Sequence, residues 1–382
     1  MHGWFSSLAA LLALVLAACA QPTPAPSATG GAGAAAPSRA APPAPTSAPA
    51  AAPSAAAVAK PALQPLSPPV QVSVGTLGLL TDAGIFIALD RGYFAEQGLD
   101  VKIEQFDGGT AMVPALAARQ IQVGGGGVSA GLINAVQRGI PLKIVADRGQ
   151  QRAGFGASAL VIRKDLIDGG TVRDARDLKG LTIAVAAAGL SAPEGLFLSG
   201  ALAPVGLTVK DLNVTEMPFP DMVAALANRS IDGAILVEPF VTRVVEMEAA
   251  VRWKGADELR PDQQTGVIMY SADFIASQPE AAKRWMVAYV KGIREYMDAV
   301  SGPRNLEPII PILTNHTTIK DPALYQKIYL AGYDVNGELN VESLNSAQDV
   351  WTENGFLESK LDARTIIDDQ YLRFAWDQLG RR

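Results

Sequence analysis

From residue 70 onward, apolar and polar positions follow two alternating rhythms. Val70-Gln71-Val72-Ser73-Val74-Gly75 alternates with a period of two, as a half-buried strand does. Residues 84–97 switch to helical spacing, with Ile85, Phe86, Leu89 and Phe94 on one face and Gly98 placed as a C-terminal cap. Residues 99–104 alternate again. A helix is predicted from Thr110, with Pro114 tolerated because first-turn N–H groups lack helical partners. Residues 121–123 read as a short strand. Ser129 caps a helix to Arg138, and residues 142–146 form a buried strand.

The same order then restarts. Strands are predicted at 159–162 and 181–185, and a helix opens at Ser191 and ends before Gly206. Residues 209–212 lead to a strand at 213–217, followed by a helix at 221–228 and a strand at 234–237. Pro239 lies near the start of the next helix. A strand at 266–270 precedes an all-helical tail, in which Ser277-Gln278-Pro279-Glu280 reads as a capping box. Strands separated by helices of this length predict an α/β fold of two similar lobes, each with a largely parallel sheet. The expected lobes are 70–157 plus 264–382 and 158–263. The chain crosses between them near 155–160 and 258–266, and the tail packs mostly on the first lobe.

The N-terminal part has neither rhythm. An apolar run from Leu8 to Leu16 is too short for a membrane span of ~20 residues. It ends in Leu16-Ala17-Ala18-Cys19, which resembles the lipobox of bacterial lipoproteins. The resemblance implies a signal peptide over 1–18 and lipid on Cys19, the only cysteine. The expected location is therefore extracytoplasmic, anchored to the cell membrane. Residues 19–69 are rich in Ala, Pro, Ser, Thr and Gly, with Arg39 and Lys60 their only charges and half of the chain's 26 prolines. Such a segment has too little bulky apolar surface to offset the entropy of ordering it, and a disordered tether is expected. Its reach runs from ~40 Å as a flexible coil to ~150 Å in extended polyproline geometry.

Composition narrows the chemistry. The formal net charge is -6 and no basic stripe is present, which disfavours nucleic acid as a partner. With Cys19 acylated and His316 the only histidine of the mature chain, disulfides, Cys-rich zinc sites and Cys/His or Ser/His catalysis are largely excluded. An enzyme built on Asp, Glu or Lys is not excluded by this count. No nucleotide-binding motif is visible. No catalytic residue, metal or cofactor is expected, and the protein is read as a monomer.

Ile87-Ala88-Leu89-Asp90-Arg91-Gly92-Tyr93-Phe94-Ala95-Glu96-Gln97-Gly98-Leu99-Asp100-Val101 resembles the opening of the solute-binding proteins for nitrate, sulfonates, taurine and thiamine precursors. Phe219-Pro220-Asp221-Met222-Val223-Ala224-Ala225-Leu226-Ala227, then Ile231-Asp232-Gly233-Ala234 and Val237-Glu238-Pro239-Phe240, are similar to that family's second-lobe segments. The resemblance implies a periplasmic-binding-protein type II fold. It also implies a two-lobed protein that closes over a small molecule and presents it to an ABC permease. Tyr93 and Phe94 read as core and turn residues rather than ligand contacts.

Open α/β sheets bind ligands at the carboxyl ends of their strands, which points to particular loops. Thr81 and Asp82 precede a helix and can cap it or face a cleft. Gly108, Gly109 and Thr110 follow the second strand. The loop Gly124-Gly125-Gly126-Gly127-Val128-Ser129 would let backbone approach a ligand, with N–H groups at the next helix start for bound oxygen. Arg148 is the best-placed cation, with an interlobe salt bridge as its alternative role. The second lobe offers Leu190 and Ser191 at a helix start. It also offers Glu238, which can accept from ring or amino N–H donors or simply complement a helix dipole. Tyr270 can stack on a planar ligand or pack in the core. Few aromatic residues fall in these loops apart from Phe106 and Phe155. The expected activity is capture of a small organic solute for import, with a vitamin or heterocyclic precursor such as a pyrimidine or flavin ranked slightly above a sulfonate. A secreted enzyme on the same fold and a sensor feeding a membrane receptor remain the alternatives.

Overall fold

A computed structural model describes residues 63–186 and 188–382. Cys19, the expected signal peptide and most of the expected tether lie outside these residues. Docked chain begins before the expected end of the tether at 69. Leu66 N donates to Gln97 O at 3.2 Å, and Leu63 and Leu66 pack against the first core.

Two five-stranded sheets carry the fold. The first contains β1 (Val70–Thr76), β2 (Leu99–Gln105), β3 (Val123–Gly127), β4 (Leu142–Gln150) and β10 (Gln264–Ser271), in the order β2-β1-β3-β10-β4. The second contains β5 (Ser158–Arg163), β6 (Thr182–Val185), β7 (Asn213–Glu216), β8 (Gly233–Val237) and β9 (Ala250–Gly255), in the order β7-β6-β8-β5-β9. The two orders correspond position by position. In each sheet the fourth strand is the one that enters by a crossing from the other lobe, β10 in the first and β5 in the second.

These fourth strands make the sheets mixed rather than largely parallel. β1 pairs in parallel with β2 and β3, and β6 with β7 and β8. β10 runs antiparallel to both β3 and β4, and β5 antiparallel to both β8 and β9. A strand arriving from the opposite lobe enters from the cleft side and runs against its neighbours. β9 had no counterpart in the sequence reading, because Ala250-Val251-Arg252-Trp253-Lys254-Gly255 carries charge at two of its six positions.

Local departures have local causes. The helix expected over 84–97 breaks into Ala83–Asp90 and Tyr93–Glu96, because Gly92 turns left-handed at φ 75°. The run of four glycines is strand β3, not a loop, and β4 continues through Asp147, Arg148 and Gly149 to Gln150. The helix Pro279–Val300 starts where expected, but without the side-chain capping bond. Ser277 Oγ instead donates to Asp273 O at 2.7 Å.

The first core is built on that helix. Trp285, Tyr289 and Tyr296 are fully buried between it, the Ala83–Asp90 helix and the first sheet. Tyr270 belongs to this core, edge-on to Phe274 and Trp285 at 5.3 and 5.8 Å, and its hydroxyl donates to Ala282 O at 2.9 Å. Its role is packing. The tail also reaches the second lobe, through Lys327–Glu246 at 2.6 Å and Tyr329 N to Glu238 Oε1 at 3.1 Å.

Candidate functional site

The carboxyl ends of the parallel strands in both sheets face one cavity of about 430 Å³. The first lobe contributes the loop after β1 (Leu77, Leu79, Thr81), the loop after β2 (Phe106 to Thr110) and the end of β3 with Val128 and Ser129. The second contributes Ala186 and Ala188 after β6, Phe219 and Pro220 after β7, and Val237 and Phe240 at the end of β8. Phe155 and Ala157, on the first crossing, line it as well. This is the placement that strand polarity dictates.

Of the residues singled out in the sequence, Thr81, Gly108, Gly109, Thr110, Val128, Ser129 and Arg148 line the cavity. Asp82, Leu190, Ser191, Glu238 and Tyr270 do not. Ser129 caps the Ala130–Gln137 helix by accepting from Leu132 N at 3.2 Å, and Thr81 Oγ1 is buried with no partner among the described residues.

Arg148 and Asp82 form one unit behind the first-lobe wall. Arg148 Nε donates to Asp82 Oδ1 at 2.7 Å, while Asp82 Oδ2 accepts from Leu77 N and Leu79 N at 3.0 and 3.1 Å. Asp82 therefore shapes the loop that lines the cavity rather than facing into it. Burial works against the Arg148 charge, but Asp82 outweighs it and holds the guanidinium above its ordinary pKa. Arg148 Nη2 has no partner among the described residues. The ion pair explains part of the glycine run. A Cβ on Gly125 would lie 3.0 Å from Arg148 Cδ and Nε, and one on Gly109 would lie 2.6 Å from Gly127 N. These glycines make room for a buried guanidinium and for close backbone packing.

Beside Arg148, Asp147 is fully buried. Its carboxylate accepts from Gly149 N and Gln264 Nε2, both at 2.6 Å, and from Asp334 N at 2.7 Å. Burial still pushes its pKa up to about 7.

Glu238 takes the second of its two expected places, at a helix start, rather than lining the cavity. Its carboxylate accepts from Thr242 N, Thr242 Oγ1 and Tyr329 N at 3.1, 3.0 and 3.1 Å. It fastens the start of the Phe240–Glu246 helix to the C-terminal tail, and burial raises its pKa. Ser191 Oγ is likewise committed, donating to Ala188 O at 2.6 Å.

Phe197, Glu194 and Phe240 are among the cavity residues not singled out in the sequence. Phe197 and Glu194 lie in the first two turns of the Pro193–Leu202 helix, just past the loop after β6. Phe240 stacks on Phe219 with centroids 5.8 Å apart. With Phe106 and Phe155 they make the cavity far more aromatic than the loops alone suggested. A signal is present in Phe219 and Phe240, which lie just past the ends of β7 and β8, where strand polarity places a cavity wall. The Glu194 side chain is partly exposed to the cavity, yet enough protein surrounds its carboxyl that desolvation raises its pKa to about 7.

Among the described residues, no cluster of three His, Cys, Asp or Glu side chains is arranged to hold a metal ion. No helix among them is long and apolar enough to cross a membrane. His316 lies outside the cavity, stacked on Phe86 at 4.9 Å with Nε2 2.7 Å from Asp90 Oδ1.

Comparison with known proteins agrees with this architecture. A binding protein of Brucella abortus is 27% identical over 219 residues, which cover 56% of this chain and 62% of the relative's length. Among solved structures, the periplasmic nitrate-binding protein NrtA from Synechocystis PCC 6803 superposes with a TM-score of 0.65 at 16% identity, over 82% of this chain and 89% of that one. The alkanesulfonate-binding protein SsuA from Xanthomonas axonopodis pv. citri, bound to MOPS, gives 0.62 at 15% identity, over 80% and 100%. The fold also occurs in the desulfurization enzyme DSZB, with a TM-score of 0.58 at 12% identity, over 81% and 99%. At these identities the structural likeness is one of fold, that of the periplasmic-binding-protein type II proteins. The profile of the NMT1-like family matches residues 66–304, a span that takes in all ten strands, and the chain therefore belongs to the NMT1-like family.

Proposed function

We propose that this protein is a lipid-anchored, extracytoplasmic solute-binding protein that captures a small organic solute between its lobes and delivers it to an ABC importer. The single observation that carries the reading is the 430 Å³ cavity, to which both sheets contribute the carboxyl ends of their strands. Each lobe supplies half a site. A solute that touches both halves binds the closed form better and shifts the population toward it. Moving from 1% to 99% closed takes a differential affinity of ~5.5 kcal/mol. The permease then reads the closed surface, and ATP hydrolysis by the partner reopens it.

The ligand range is a heterocyclic vitamin or vitamin precursor, such as a pyrimidine or flavin, or a sulfonate. The cavity volume falls within the span typical of small-molecule sites, ~300–1,000 Å³. Its phenylalanines suit a ring, and Gly108, Gly109, Thr110, Val128, Ser129, Thr81 and Arg148 are the proposed contacts from the first lobe. Binding without turnover fits a cavity that His316 does not reach. The anchor is the lipid on Cys19, and the working unit is a monomer whose lobes are residues 70–157 plus 264–382 and 158–263.

A thermal-shift panel of nitrate, sulfonates, pyrimidines and flavins tests capture, with small-angle scattering on any hit to read lobe closure. Stabilisation with compaction is expected. No stabilisation by any solute, or conversion of a bound solute into product, overturns the reading. Mass spectrometry of the membrane-extracted protein tests the anchor, where an N-terminal diacylglyceryl cysteine at Cys19 is the expected finding.

A further inference from the structure

We propose that the Glu194 carboxyl is the specificity-determining group of this cavity, and that it selects a planar compound with cationic or N–H-donating nitrogen over an oxyanion. The inference rests on the solute-binding reading above and names its ligand class.

Three ionisable side chains line the cavity: Asp107, Arg148 and Glu194. Arg148 is the only cation among them, and its charge is already matched by Asp82 at 2.7 Å. Asp107 is exposed. The charge balance of the cleft is therefore zero to negative, the wrong sign for nitrate or a sulfonate.

Glu194 differs from Glu238 and Asp147 in that no other described residue donates to its carboxyl, which accepts only from its own backbone N–H. Glu238 and Asp147 each accept three hydrogen bonds from protein groups. The helix spacing of three places Glu194 and Phe197 on one face, and both line the cavity. Phe219 and Phe240, stacked on each other, line the same cavity. A carboxyl in a cavity lined by phenylalanines is complementary to a flat ring edged with amino, amidino or ring N–H groups.

Protonation is linked to this choice. With its pKa raised by desolvation to about 7, Glu194 is only partly ionised at neutral pH. Asp107 and Arg148 are the other charged groups lining the cavity, Asp82 lies behind Arg148, and Glu216 sits against Gly189 in the turn before the helix. A cationic ligand binds the ionised carboxylate, so its affinity rises as pH increases through 7.

The test uses the full chain, wild type and Glu194→Gln, titrated calorimetrically with benzamidine, benzamide and benzenesulfonate at pH 6 and pH 8. Benzamidine is expected to bind at least about tenfold tighter than benzenesulfonate, to lose about tenfold in Glu194→Gln, and to gain up to about tenfold in wild type from pH 6 to pH 8. In Glu194→Gln the pH dependence disappears and benzenesulfonate is not weakened. Tighter binding of benzenesulfonate, or benzamidine binding indifferent to Glu194→Gln, overturns the inference. Should Glu194→Gln fail to fold, an absent pH gain in wild type does the same. If the solute panel yields oxyanion ligands only, this inference alone falls. If it yields no ligand at all, the solute-binding reading fails and takes the inference with it.

Discussion

Arg148 Nε meets Asp82 Oδ1 at 2.7 Å with the two side chains only 3% and 0% exposed, so the one cation of the cavity wall is bound to its counter-charge inside the first lobe. Removing one partner strands the other in a low-dielectric site. Asp82→Ala is expected to cost ~3–5 kcal/mol of unfolding free energy in urea. The double variant with Arg148→Met should recover part of that loss, because no buried charge remains. A loss below ~1 kcal/mol in Asp82→Ala would mean that the pair is not buried as described.

Glycine at 125 is required by the same guanidinium. Gly125→Ala places a methyl 3.0 Å from Arg148 Cδ and Nε in the middle of β3, and overpacking of this kind costs ~1–3 kcal/mol. Gly108→Ala meets only Thr110 Oγ1 at 4.0 Å, and its backbone is extended at φ -168°. It should stay within ~0.5 kcal/mol of wild type. Chemical denaturation of the two variants side by side checks the contrast, and equal losses would contradict it.

Stability should fall as pH rises from about 4 to about 7. Asp147 and Glu194 have ordinary carboxyl pKa values of 3.8 and 4.5, and burial raises both to about 7 in the folded protein. The native state then holds more protons than the unfolded chain in that window, so these two groups favour folding below it and lose that contribution above it. Melting temperatures across pH 4 to 8 read the slope. Glu194→Gln removes one titrating group and should flatten it, and a slope unchanged in that variant would count against a buried carboxyl there.

Glu238→Gln tests a fastener rather than a ligand contact. Glutamine keeps one oxygen but turns the other position into a donor facing donors, so at least one of the bonds from Thr242 and Tyr329 is lost, at ~1–3 kcal/mol. Amide exchange at Tyr329 should accelerate more than at Thr317, whose N–H bonds to Leu313 O at 2.8 Å in the first lobe. Unchanged exchange at Tyr329 would show that the clamp does not hold the tail.

How far the chain could be read without its fold differs by element. The strands at 70–76, 99–105, 182–185 and 233–237 follow from local alternation or continuous apolar runs, and the restart of the pattern after 158 announced two lobes. β9 is not legible because Arg252 and Lys254 interrupt its apolar pattern, and the glycine run reads as a loop because glycine signals a turn unless a neighbour demands the space. That neighbour, Arg148, is 23 positions away in sequence. In the site, the first-lobe loops were legible from strand polarity. Glu238 and Tyr270 were not, because whether a polar side chain at a strand end faces the cleft or the core depends on what packs behind it.

Hydrophobic rhythm alone therefore determined most of the elements, their order, the two-lobed plan and the end of each sheet at which a cavity must form, because these depend on residues close in sequence. Tertiary structure decided the rest: that β5 and β10 run antiparallel to their neighbours, that Asp82 cancels Arg148, that Glu238 is spent on Tyr329, and that Glu194 lines a phenylalanine-rich cavity with no donor from another described residue. Those outcomes turn on charge compensation and desolvation among groups tens to hundreds of residues apart, and a chain carries such information only once it is folded.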